Sequence, residues 1–219
     1  MGGPERITVI PGNHDTYVKT NWQQTLAHLR AYMLTDGAEI EENPASGIES
    51  LYPSLRLRGR IALIGVCTAL PTAPHLATGT IGKHQLQKLE TILADIAGRN
   101  LFRVLLIHHP PAPGTVSWRK RLTDAPALET LLGRYGAELV LHGHAHTCDL
   151  NKLEIPDGHV TVIGIPSASA LGRSAQRRAR YIIYHITPRA SGWHLRLEVR
   201  IYTPDKNRFV VEQAHPFSL

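Results

Sequence analysis

The sequence predicts an α/β fold: a mixed helix-and-strand portion first, then a run of strands and turns alone. Three observations carry this. Short apolar runs recur at residues 7–10, 104–107 and 139–141, each patterned as a strand buried on both faces and each ending in a polar turn that bears histidine. Between them lie segments whose apolar residues recur at helical spacing. From Asp149 onward only strand and turn patterns remain.

In chain order, ITVI is broken by Pro11 and Gly12, and Asn13, His14 and Asp15 come next. Residues 21–33 are predicted as an amphipathic helix, with Trp22, Leu26, Leu29 and Met33 on one face and Asn21 or Thr20 as N-cap. The polar stretch 35–50, holding Gly37, Pro44 and Gly47, is a loop placed to overhang a site. Residues 54–58 and 60–67 form a hairpin turned at Gly59, the second strand more buried than the first. After a loop at 71–82, residues 83–97 form a helix with Leu86, Leu89, Leu93 and Ile96 on its core face, ended by Gly98. The strand FRVLLI then leads into His108 and His109, with a loop after them carrying Ser117, Trp118, Arg119, Lys120 and Arg121. Asp124 caps a helix through Tyr135, with Leu128, Leu131 and Leu132 inward, and Gly136 ends it. The strand at 139–141 runs into Gly143, His144, Ala145 and His146, where the glycine allows a tight turn. A hairpin at 150–155 and 159–165 turns around Pro156, Asp157 and Gly158. Strands at 181–187, 193–202 and 208–212 close the chain; Trp193, Leu195, Leu197, Val199 and Ile201 alternate along the middle one.

A lone His-x-His is most often a surface turn, but here three strand ends share one layout. In open α/β sheets functional loops gather outside the carboxyl ends of the strands. Three such ends bring Asn13, His108, His144 and His146 together as a mixed nitrogen and oxygen donor set, which borderline divalent metals prefer. His109 points the opposite way from His108 on an extended segment, so positioning or substrate-facing roles suit it better than ligation.

The ordered set GNHD at residues 12–15, HHPP at 108–111 and GHAH at 143–146 resembles the calcineurin-like metallophosphoesterase family. The HHPP form is most like the branch containing class III cyclic-nucleotide phosphodiesterases. The resemblance spans roughly residues 6–184 and implies a two-sheet sandwich flanked by helices. It also implies a dinuclear site of divalent metal ions (Mn, Fe or Zn), with Asn13, His108 and His144 on one ion and His146 helping to hold the other. Two clamped cations neutralise a phosphate ester and ionise the attacking water. His14 matches the family histidine that points at the scissile phosphate and protonates the leaving oxygen, with Asp15 orienting it. His109, Arg119 and Arg121 are the candidate substrate contacts. The activity implied is hydrolysis of phosphate mono- or diesters on a small phosphorylated or nucleotide-like substrate.

Family members begin with a strand ending in Asp-x-His and a second ending in Gly-Asp, and neither motif precedes Asn13 here. The expectation is therefore a single metallophosphoesterase domain over residues 1–219 without its N-terminal portion, its first two strands or its bridging carboxylate. The alternative is a catalytically inactive remnant retaining a partial metal site.

A formal net charge of +6 favours anionic partners and leaves nucleic acid open as one of them. The basic residues are scattered except at 119–121 and at Arg173, Arg177, Arg178 and Arg180, a run expected to be a solvated loop. Two cysteines make no disulfide framework; Cys67 is expected in the core and Cys148 as a buried thiol. With no apolar run long enough for a membrane and no signal-like N-terminus, a cytoplasmic protein is expected. Nothing in the sequence sets an oligomeric state.

Overall fold

Six strands build the larger sheet of the computed structural model, which describes residues 2–16, 25–38, 47–156, 158–172 and 174–218. β1 (Ser54–Arg58) and β2 (Ile61–Gly65) form the expected antiparallel hairpin. β2, β3 (Phe102–Ile107), β4 (Leu139–His142) and β6 (Gly158–Gly164) run parallel in that order, and β5 (Asp149–Ile155) closes the far edge antiparallel to β6. Val104 pairs with Leu139 and Ile107 with His142, so His108 and Gly143 leave the same end of the sheet. The Gly143 N–H donates to the His108 carbonyl at 3.2 Å, which extends the ladder into the two turns.

The sheet is apolar on both faces, as its near-continuous hydrophobic strands require. On one face Ala62, Ile64, Leu105, Ile107, Val140 and Val162 meet two helices. These are α1 (Lys83–Ala97) and α2 (Ala125–Tyr135), which bury Leu89, Leu93 and Ile96, and Leu128 and Leu132. Each such side chain contributes about 1.5–3 kcal/mol on burial, which holds the helical layer against the strands. On the other face Phe102, Val104, Leu139 and Ile163 meet Trp193, Leu195 and Leu197, with Trp193 edge-on to Phe102 at 5.6 Å between ring centres. These come from the smaller antiparallel sheet of β7 (Arg180–Pro188), β8 (Trp193–Thr203) and β9 (Arg208–Ser218). Helices, six-stranded sheet and three-stranded sheet stack in layers, the mixed α/β sandwich flanked by helices that was expected.

Several local expectations are revised. Residues 7–10 are not a strand. Their backbone is bonded from the side: Arg56 donates to the Ile7 carbonyl at 2.7 Å, the Tyr52 hydroxyl donates to the Val9 carbonyl at 2.9 Å, and the Val9 N–H donates to the Tyr32 carbonyl at 2.9 Å. The edge beside β2 is taken by β1 instead. The hairpin of β5 and β6 belongs to the larger sheet, not to a C-terminal meander, because β6 pairs in parallel with β4. Asp124 stands at the N-cap of α2, yet its carboxylate caps nothing there; it accepts from Ile81 and Gly82 at 2.8–3.1 Å and ties down the entry to α1. Of the helix predicted at 21–33, residues 21–24, with Asn21 and Trp22, lie outside the described residues, as does the alternative cap Thr20. Its later part is a 3-10 helix, Ala27–Tyr32, flanked by buried Leu26 and Met33. Residues 39–46, with Pro44, and Arg173 also lie outside the described residues. Cys67 is buried as expected, but Cys148 is exposed.

Candidate metal centre

Three turns deliver the site. The first comes after Gly12, where a 3-10 turn, Asn13–Asp15, is closed by the Asp15 carboxylate accepting from the Gly12 N–H at 2.8 Å. Gly12 itself must lack a side chain, since a Cβ there would stand 2.7 Å from the His108 ring. The turn buries Asn13 to 1% exposure and leaves His14 and Asp15 exposed. The second turn is the end of β3, which places His108 and His109. The third is the end of β4, where the positive φ falls on the histidines, 63° at His144 and 57° at His146, rather than on Gly143. A left-handed backbone is uncommon outside glycine and costs energy, and such positions cluster where function holds them.

Asn13, His108 and His144 meet as expected. The Asn13 Oδ1 accepts from His108 Nε2 at 2.9 Å and from His144 Nδ1 at 3.3 Å, joining residues from three distant segments at one oxygen. The His144 ring is held on its other side as well, where the Lys120 backbone lies within hydrogen-bond reach of it. A divalent ion seated among the three side chains would take the facing atoms, Asn13 Oδ1, His108 Nε2 and His144 Nδ1, as its donors in place of the hydrogen bonds among them. Burial pulls His108 down to about 4, helped by His14 and His146, and pulls His144 down to about 4, helped by His108 and Lys120. Both rings are therefore neutral at neutral pH, the state a metal needs. Two neutral imidazoles and a carboxamide oxygen fit a divalent cation of borderline hardness. His146 is exposed at the rim of this cluster. Among the described residues no group of three His, Cys, Asp or Glu side chains is gathered for a metal ion.

His109 lies behind the cluster. It is fully buried, its ring centre 4.3 Å from that of His144. The Ala77 carbonyl, 3.2 Å from Nε2, can only accept, so Nε2 carries the proton and Nδ1 accepts from the Thr68 hydroxyl at 2.7 Å. Burial, then His144 and His108, depress it to about 3. Of the two roles expected for His109, these surroundings favour positioning over substrate contact. His142 is also buried; its Nδ1 lies 2.9 Å from the Gly143 carbonyl and its Nε2 lies 3.8 Å from Asp149.

Beside the cluster, residues 72–77 and the loop carrying Ser117, Arg119 and Lys120 enclose a cavity of about 650 Å³. Arg119 lines it, its guanidinium 5.3 Å from the centre of the Trp118 ring. Arg121 instead turns back on the Trp118 carbonyl at 2.8 Å and braces the loop. Trp118 is 62% exposed, so it does not anchor the loop. Thr68 carried no signal in the sequence, because its role depends on a fold-level approach to His109. Lys120 did carry one, as part of the basic triplet 119–121.

A model of the calcineurin-like phosphoesterase family matches residues 3–148. No curated protein matches the chain. Among solved structures, a dimetal phosphatase from Danio rerio is 15% identical, with 64% of this chain and 40% of that one covered and a TM-score of 0.39. A putative 5'-nucleotidase from Staphylococcus aureus is 17% identical over 96% of this chain and 37% of that one, TM-score 0.42. A Vps29 double mutant from Entamoeba histolytica is 15% identical over 73% and 84%, TM-score 0.32. The chain thus spans well under half the length of the first two.

Proposed function

The chain belongs to the calcineurin-like phosphoesterase family, and on that premise we propose that it hydrolyses phosphate mono- or diesters, the diester activity of a phosphodiesterase included, with divalent metal ions. The observation that carries this is the meeting of His108 and His144 at the Asn13 carboxamide oxygen, three distant segments converging on one point. Asn13, His108 and His144 would hold one ion, and His146 would help to hold a second, as Mn, Fe or Zn. Bound there, the metal supplies positive charge to the phosphoryl oxygens and acidifies a water.

The chain's own residues do the rest. His14, exposed one residue from Asn13, donates a proton to the leaving oxygen. Asp15 fixes the Gly12 N–H and so holds the turn that aims His14. Arg119 faces the cavity and draws the anionic ester in, while Arg121 shapes the loop. His109, held by Thr68 and Ala77, keeps the His144 ring in place. The same proposal covers a small phosphorylated or nucleotide-like substrate and a cytoplasmic setting. No helix among the described residues is long and apolar enough to cross a membrane.

One observation favours a second function: the described residues gather no trio of His, Cys, Asp or Glu for a metal. A chain that binds one ion at a partial site without turnover would look the same. Metal content by mass spectrometry, with turnover of bis(p-nitrophenyl) phosphate in manganese, separates the two. Turnover that His108→Ala and His144→Ala abolish together with bound metal supports the phosphoesterase. Metal bound without turnover supports the partial site, and parent-level metal in both variants removes the ligand assignment altogether.

A further inference from the structure

We propose that the cavity between residues 72–77 and residues 117–120 is a subsite for the organic substituent of the ester, and that it selects substituents bearing a negative charge of their own. This rests on the phosphoesterase function above and specifies its substrate class. The cavity adjoins the histidine cluster on two sides. The Ala77 carbonyl on its wall accepts from His109, whose ring packs on His144. Lys120, also in the lining, has its backbone within hydrogen-bond reach of the His144 ring. A phosphoryl group at the cluster would therefore direct its substituent into this space, and about 650 Å³ is the size of a small-molecule site.

The walls are fixed before any ligand arrives. Ala77 N–H donates to the Arg119 carbonyl at 2.8 Å, Gly79 N–H to that of Arg121 at 3.1 Å, and Thr123 N–H to that of Gly79 at 2.8 Å. Thr72 closes its own loop by donating to the Leu76 carbonyl at 2.8 Å. The lining is apolar at Pro74 and Leu76 and cationic at Arg119 and Lys120. Both cations are exposed, and among the described residues neither makes an ion pair. Two unneutralised cations on one rigid wall suit a carboxylate or second phosphate at the end of a short substituent.

The experiment compares 2-carboxyethylphosphonate with propylphosphonate, which share the phosphoryl group and length and differ in the terminal charge. Titration calorimetry in manganese should show the carboxylate probe binding about tenfold more tightly at low salt, as two partly screened charge contacts give. That preference should vanish in the double variant Arg119→Ala/Lys120→Ala and at ~1 M salt. Equal affinity for the two probes, or a preference that survives the double variant, overturns the subsite. Turnover of bis(p-nitrophenyl) phosphate, which has no terminal charge, judges the phosphoesterase function separately.

Discussion

Gly79 passes so close to His109 that a methyl group on its Cα would overlap the imidazole at Nδ1. The loop reaches that depth because its backbone pairs with the 119–123 segment, and the contact seats His109 against His144. Gly79→Ala should destabilise the chain by about 1–3 kcal/mol, as overpacking does. Denaturant titration reads the loss, and metal affinity should fall with it, since the His109 ring is displaced toward a ligand. A variant of parent stability would show that the loop yields instead.

Asp124 joins the two helices through one carboxylate. Asp124→Ala leaves the N–H groups of Ile81 and Gly82 without their acceptor and should cost about 1–3 kcal/mol. Asp124→Asn keeps an oxygen and should recover part of it. Equal losses in urea titrations of the two variants would deny the carboxylate this role.

Arg56 is 4% exposed and serves the carbonyls of Pro4 and Ile7, in the segment that leads to Asn13, and that of Tyr32. Arg56→Met keeps the packing volume and strands those acceptors, so a loss of about 2–3 kcal/mol is expected. Hydrogen exchange around residues 4–13 should rise selectively. Unchanged protection there would mean that other contacts hold the segment.

The metal-free chain should be sensitive to mild acid. His108, His109 and His144 sit at about 4, 3 and 4, below the ordinary histidine value near 6.5, so the unfolded chain binds protons first. Their contribution is fully present above about pH 6.5 and is lost as pH falls toward 4. Melting temperature measured against pH should drop across that window and less so in His109→Gln. A flat profile would mean the rings protonate in place.

Where turnover is measurable, His14→Ala should lower kcat by about two to four orders of magnitude, the usual loss for a proton donor. Metal content should stay near the parent value. If metal leaves together with activity, His14 is a ligand or a structural residue.

Much of the frame is legible in the sequence because periodicity encodes burial. The helices at 83–97 and 125–135, the strands beside them and the alternation from Trp193 onward all reflect which faces must leave water. Residues 7–10 misled because an apolar run says only that a segment leaves water in part, and these residues are half-buried. Whether it is paired by a strand or by side chains depends on Arg56 and Tyr52, some 43–49 residues away. The same holds for Gln85, whose burial on α1 serves the backbone of Cys67 at 2.8 Å and has no local signature. At the site, the polar turns after three apolar runs were expected to bring Asn13, His108, His144 and His146 together; the first three meet, although the run before Asn13 is no strand, and His146 stands exposed at the rim. The work of Thr68 and Gly79 became visible only once two loops were seen to meet.

The packing of β8 across β3 and β4 has a consequence for synthesis. Phe102, Val104 and Leu139 lie beneath Trp193, Leu195 and Leu197, which leave the ribosome more than fifty residues later. Until then the strands that carry His108 and His144 present an uncovered apolar face. Nascent chains halted before Trp193 should therefore bind hydrophobic-recognising chaperones, and release should coincide with the emergence of β8.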